Sequence, residues 1–172
     1  MFSSVSNLTV DDRGRITIPK KYTALFNIVV NSNNDSIKSI TDASKNLNDE
    51  DCQIIKKLVV TKHLYKPCLN VYTVSEWQKI IDKINSLPPF AETTESLQFI
   101  FGTNAEPLEL DKNNRILISK TLREEVNLGA NPVLAGLTNR FQLWNEQEFQ
   151  KAKAQNEEKA KSAEFRQALE NL

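Results

Sequence analysis

An α+β fold, mainly β, is what this sequence predicts, and three observations carry the prediction. The stretch DDRGRITIPKK, from Asp11 to Lys21, returns a hundred positions later as DKNNRILISKT, from Asp111 to Thr121. Short apolar runs bounded by turn-forming residues follow each copy in the same order. Each copy then closes on a helix, and in the first its apolar residues fall three and four apart, the period of a helix packed on one face. A chain that writes one acid–base–strand element twice points to a duplicated unit.

Leu8-Thr-Val-Asp11 aligns with Leu108-Glu-Leu-Asp111, so a strand over 8–10, and again over 108–110, enters a turn at Asp-x-x-x-Arg. A second strand leaves that turn with Ile16 and Ile18 in one copy and Ile116 and Ile118 in the other. Their alternation fits a half-buried strand. Short helices over 20–26 and 120–126 come next, and Asn127-Leu-Gly129 stops the second, with glycine free to turn left-handed. Hairpins follow: strands 57–62 and 68–72 in the first copy, 132–136 and 141–144 in the second. Leu69-Asn-Val-Tyr72 aligns with Phe141-Gln-Leu-Trp144, and Glu76-Trp77 with Glu148-Phe149.

The closing helix of the first copy spans 74–87, with Trp77, Ile80, Ile81 and Ile84 as its apolar stripe and a capping box at Ser75 and Gln78. Pro88-Pro89 ends it, and a shorter helix occupies 93–101. The last helix begins near Asn145 and runs toward Leu172, either solvated or packed against a neighbour. The spacing between copies falls from 100 to 72 along the chain, so the first copy carries about 28 extra residues. Most of these lie in NSNNDSIKSITDASKNLNDED, a stretch too poor in large apolar groups to offset its ordering entropy, which predicts an inserted mobile loop. It is either a tolerated surface insertion or a functional one.

Composition narrows the function. At 172 residues the chain is long enough for a core in one domain or two small ones. The formal net charge is +0, so any polyanion surface must be local. Cys52 and Cys68 fit no metal spacing and predict reduced thiols. The start MFSSVSNLTVDD has no signal-peptide pattern, and no apolar run can span a bilayer, which predicts a soluble intracellular protein. His63 stands without a fixed carboxylate nearby in sequence, and no phosphate loop, nucleophile elbow or zinc helix occurs. The sequence thus predicts no catalytic residue, metal, cofactor or small-molecule substrate. Arginine stays charged at working pH, so Asp-x-x-x-Arg is no acid–base pair.

What the motif can do is electrostatic. Its aspartate can accept backbone N–H bonds across the turn, and its arginine can present a planar fork to phosphate or to the edge of guanine. Two readings stand: a salt bridge that only closes the turn, or a paired nucleic-acid surface. Local charge supports the second, with Arg13, Arg15, Lys20 and Lys21 around Asp11, and Lys112, Arg115, Lys120 and Arg123 around Asp111. Gly14 and Asn114 precede the two arginines and would shape the turns, with Asp11 and Asp111.

Taken together, Met1-Phe2, VDDRGRITIPKKY, VVTKHLYKPCLNVYTVSEWQKI, FGTNAEPLELDKNNRILISKTLREEVNLG and VLAGLTNRFQLWNEQEF resemble the MraZ family. The resemblance covers nearly the whole chain outside the insert and the tail. It implies two SpoVT-AbrB-type repeats with swapped hairpins forming small β-barrels and helices outside. The first would span 8–87, with the insert at about 31–57. A linker over 88–107 leads to the second repeat over 108–152, and a tail over 153–172 follows.

The resemblance further implies a homo-oligomeric ring in the cytoplasm, associated with the nucleoid. Such a ring would bind double-stranded promoter DNA at the division and cell-wall gene cluster as a regulator, most simply a repressor. The family's DNA-facing arginines carry over to Arg15 and Arg115, with Arg13, Lys20, Lys21, Lys112 and Lys120 as supporting cations. Three departures mark this chain: Asn113-Asn114 in place of a glycine turn, Ser119 in place of proline, and no arginine in TTESLQFIFG. The second copy is the weaker match, which ranks Arg15 above Arg115. The alternative is an oligomeric protein-interaction scaffold in which DNA contact is lost or secondary.

Overall fold

The structure, a computed structural model, describes residues 4–23, 28–31, 38–39, 52–55 and 57–171. It is an α+β fold with antiparallel sheet throughout. The first copy supplies β1 (Ser4–Asn7), β2 (Arg15–Thr17), α1 (Lys20–Thr23), β3 (Ile28–Asn31), β4 (Lys38–Ser39), β5 (Cys52–Ile55), β6 (Lys57–Lys62), β7 (Cys68–Thr73) and α2 (Val74–Asn85). A connecting helix α3 (Glu92–Thr103) leads to β8 (Ala105–Glu109), β9 (Arg115–Leu117), α4 (Lys120–Glu125), β10 (Val133–Gly136) and β11 (Arg140–Trp144). The chain closes on α5 (Glu146–Lys159) and α6 (Ala163–Glu170).

The main sheet has six strands in the order β1-β10-β11-β7-β6-β8. The hairpins β6–β7 and β10–β11 form as expected, closed by His63 N–H to Cys68 C=O at 2.9 Å and Leu137 N–H to Arg140 C=O at 2.9 Å. Their neighbours are exchanged between copies, because β1 adds to β10 and β8 adds to β6. At the centre β7 pairs with β11, setting Asn70 opposite Gln142, and β2 pairs with β9, setting Ile16 opposite Ile116. Both pairs join corresponding residues of the two copies. A pseudo-twofold axis therefore runs through them.

The interior follows from this exchange. Ile16, Ile18, Ile116 and Ile118 are at most 1% exposed and pack with Leu58, Val60, Leu69, Val71, Leu134, Phe141 and Leu143 from one face of the sheet. Leu122, Val126 and Leu128 close the same cluster. The other face carries Cys68, Val133, Ala135 and Trp144, covered by Phe149 and Ala152 of α5. Trp77 of α2 packs at a tilt against Tyr72, ring centroids 5.7 Å apart, and against Phe101 of α3 at 5.9 Å. Beneath these helices Trp144 Nε1 donates to Gln142 Oε1 (3.1 Å), and Gln142 Nε2 donates to Asn70 Oδ1 (2.9 Å). That chain satisfies three polar groups the sheet buries.

Several local expectations need correction. The first strand lies at Ser4–Asn7 rather than over 8–10. Leu8 N–H still bonds Pro132 C=O and Val10 N–H bonds Ala130 C=O, but Val10 also bridges Ile16, so the segment passes from the sheet to the turn. The cap of α2 is Thr73, whose hydroxyl accepts Glu76 N–H at 3.2 Å. Gln78 instead donates forward to Asp82, so no capping box forms at Ser75. The last helix breaks at Lys161–Ser162, where the Ser162 hydroxyl accepts Phe165 N–H and starts α6. A serine that can cap a new helix competes with continuing the old one.

Within the insert, β4 and β5 both pair with β3, Ile28 facing Ser39 and Ile55. Residues 38–39 and 52–55 are therefore strand, not loop: Cys-Gln-Ile-Ile is a β-prone run with a neighbour to pair with. The rest of the mobile-loop reading, and the end of the helix expected over 20–26, lie outside the described residues.

Candidate nucleic-acid interface

The two Asp-x-x-x-Arg turns share one bonding scheme. In the first, Asp11 Oδ1 accepts the N–H groups of Arg13 (3.0 Å) and Arg15 (2.8 Å), and Oδ2 accepts Arg15 Nε–H (2.7 Å). In the second, Asp111 accepts Asn113 N–H (2.8 Å), Arg115 N–H (2.9 Å) and Arg115 Nε–H (2.7 Å). Each hairpin is closed by the backbone as well, Asp11 N–H to Arg15 C=O and Asp111 N–H to Arg115 C=O, both 2.9 Å. The Arg15 N–H, and after it the Arg15 guanidinium, hold the Asp11 carboxyl below the usual range. The Arg115 side-chain bond, then the Arg115 N–H, bring Asp111 down to about 2.

The residue before each arginine sits left-handed, Gly14 at φ 81° and Asn114 at φ 57°. Asparagine tolerates that region better than other side chains, so the second turn survives without glycine. Ser119, where proline was expected, caps α4 by accepting Leu122 N–H at 3.3 Å.

The tertiary fold then joins the turns. Antiparallel pairing of β2 with β9 sets Arg15 opposite Leu117 and Thr17 opposite Arg115. Residues directly opposite share a face, and alternate residues along each strand do too. Arg15, Thr17, Arg115 and Leu117 therefore occupy one face of a two-stranded ribbon, while Ile16 and Ile116 occupy the buried one. The two arginines stand on a diagonal, about 7–8 Å apart at the backbone. Arg15 uses only Nε on its aspartate, and among the described residues its η nitrogens take no hydrogen-bond partner, so its fork is braced at the root and presented at the tip. Arg115 holds Asp111 Oδ2 through both Nε and Nη2, each at 2.7 Å.

The supporting cations are placed less uniformly. Arg13, Lys20, Lys21, Lys112 and Lys120 are all exposed. Lys21 is engaged by Ser4 Oγ and the Tyr22 ring, and Lys120 lies 3.6 Å from Glu124. Arg123 of α4 crosses to the other copy's turn: a Cβ on Gly14 would lie 2.8 Å from its Nη2. Arg123 counts in the sequence as local charge outside the predicted site, and Leu117 is not among the predicted site residues. The signal for Leu117 was present, since strict alternation from Arg115 puts residue 117 on the arginine's face.

Elsewhere, Cys68 is free and buried, and burial pushes its thiol up to about 12. His63 Nδ1 accepts Tyr65 N–H at 3.1 Å. Among the described residues there is no metal-holding cluster of His, Cys, Asp and Glu, and no helix long and apolar enough to cross a membrane.

Known proteins resemble this chain along most of its length. Residues 101–171 match the family model described as "MraZ protein, putative antitoxin-like". The chain is 32% identical over 165 residues to a transcriptional regulator MraZ of Shewanella sediminis, covering 96% of this chain and 93% of that protein. It is 34% identical over 146 residues to the namesake in Pseudomonas aeruginosa, covering 85% and 81% respectively. With a third, from Hydrogenovibrio crunogenus, identity is 28% over 171 residues, 99% of this chain and 97% of that protein. On sequence carried across almost the full length, and with both turn motifs within it, this chain belongs to the MraZ family.

Proposed function

We propose that this protein is a DNA-binding transcriptional regulator that meets double-stranded promoter DNA with the β2–β9 ribbon. The observation that carries the reading is the placement of Arg15 and Arg115 on one exposed face, each braced by its aspartate. A two-stranded ribbon fits the major groove, which is about 12 Å wide. Arginine forks suit guanine O6 and N7 there, and phosphates at the rim. Arg13, Lys20, Lys21, Lys112, Lys120 and Arg123 would supply phosphate contacts around the ribbon. The relatives named as transcriptional regulators point the same way.

The finer picture rests on the resemblance. The two halves, 8–87 with its insert and 108–152, are SpoVT-AbrB-type repeats, a reading supported by the exchange of β1 and β8 between hairpins. The protein acts in the cytoplasm, on the nucleoid, as a repressor at the division and cell-wall gene cluster. One chain brings two arginines, and a few phosphate contacts give weak, salt-sensitive binding. A homo-oligomeric ring would repeat the ribbon along direct DNA repeats and gain orders of magnitude in avidity. Exposed apolar side chains at Phe90, Phe99, Phe165 and Leu169 offer surface for such assembly.

The test is anisotropy on the cell's own division-cluster promoter across a salt series, with Arg15→Ala beside the wild type. Binding should weaken sharply in the variant while native mass stays unchanged. Unchanged affinity would remove Arg15 from the DNA. Absence of salt-dependent binding by the wild type would favour a protein-interaction scaffold instead.

A further inference from the structure

The ribbon face holds one residue that the arginine reading does not use. Leu117 is 57% exposed, although leucine is a residue the core ordinarily takes, and it lies directly opposite Arg15. Its counterpart across the pseudo-twofold axis is Thr17, also exposed and opposite Arg115. The face therefore reads as two arginines on one diagonal and two methyl-bearing side chains on the other. Leu117 also does not support the fold from below: the buried side of the ribbon is filled by Ile16 and Ile116, both fully buried.

An apolar group between two guanine-seeking forks has one chemical partner in the major groove. Only thymine presents a methyl group there, and apolar side chains contact it. We propose that Leu117 is a specificity-determining residue, taking the 5-methyl group of a thymine beside the bases read by Arg15 and Arg115. The proposal rests on the ribbon's being the DNA-binding face.

A second consequence follows from the same geometry. A two-fold-symmetric reader would fit a two-fold-symmetric site equally in both directions. Leucine at 117 against threonine at 17 breaks that symmetry, since the two side chains differ in reach and polarity. Each ribbon then lies on its site in one orientation, as repeats all written in the same direction require.

Replacing thymine by deoxyuridine removes that methyl group and leaves every hydrogen-bonding group in place, so it isolates the contact. The probe is the shortest duplex from the division-cluster promoter that the full-length wild-type protein retains, with each thymine replaced in turn. At one position per repeat the wild type should lose about fourfold in affinity, the worth of one buried methyl group. Leu117→Ala should bind the unmodified duplex more weakly and show no further loss on the deoxyuridine duplex. Leu117→Thr, which carries the residue already tolerated at position 17, serves as the second variant and should show a reduced penalty.

Equal binding of all deoxyuridine duplexes by the wild type would overturn the proposal and leave the DNA-binding reading intact. So would an undiminished penalty in Leu117→Ala, because another group would then be reading the methyl. If the wild type shows no salt-dependent retention of any promoter duplex, the ribbon reading fails first, and this inference with it.

Discussion

Gly14→Ala tests how tightly the two copies are locked together at the ribbon. The glycine sits at φ 81°, where an L side chain is strained by about 1–2 kcal/mol. A Cβ there would also stand 2.8 Å from Arg123 Nη2, 3.0 Å from Cζ and 3.2 Å from Nε. Those atoms end a flexible side chain, so Arg123 can move, but moving it forfeits the Arg123 Nε–H bond to Ile118 C=O at 3.2 Å. That bond contributes about 1 kcal/mol. The total comes to about 2–3 kcal/mol of lost stability.

Urea denaturation followed by tryptophan fluorescence reads the loss, and a double-mutant cycle with Arg123→Ala divides it. If the division holds, Gly14→Ala should lose only the backbone strain in the Arg123→Ala background. Gly14→Asn, copying the second turn, should relieve the strain and keep the displacement of Arg123. A loss below about 0.5 kcal/mol, the usual range for an exposed substitution, would overturn this account of the turn. So would an effect of the same size in both backgrounds, because Arg123 would then have no part in it.

Two further outcomes follow from the site and the sheet. The Asp111 carboxyl is held near 2, below the value of about 3.9 for a free aspartate, so its contribution to stability is present above about pH 4 and fades as pH falls through 2. An NMR titration of carboxyl carbons should show Asp111 titrating well below the exposed glutamates, and Arg115→Ala should raise it. In the sheet, Gln142→Met leaves Trp144 Nε1–H and Asn70 Oδ1 without their partners. Each buried group left unpaired costs about 1–3 kcal/mol, measured in the same denaturation assay.

Much of the architecture was legible because it is local. Asp11 and Arg15, and Asp111 and Arg115, stand four apart on a turn, so the bonds that define each hairpin are written within five residues. The alternation of Ile16 with Ile18 reported the buried face, and asparagine at 114 was readable as a left-handed residue. The cap of α2 and the break at Ser162 were harder. Thr73 and Ser75 are both cap-forming residue types two positions apart, and apolar residues are sparse after Phe149, so the sequence marks neither the cap nor the stop. Such choices are settled by small differences between competing hydrogen bonds.

Two copies of one braced arginine turn, each feeding an amphipathic strand, are written plainly in the residues. That the copies are partners rather than neighbours emerges only from how the strands pair. β1 pairs with the second hairpin, β8 with the first, and β2 with β9. Register accounts for the difference. Strand alternation tells which side chains share a face within one strand, but not which strand lies alongside. It took the pairing of Ile16 with Ile116 to bring Arg15 onto one surface with Arg115 and Leu117, about a hundred residues further along the chain.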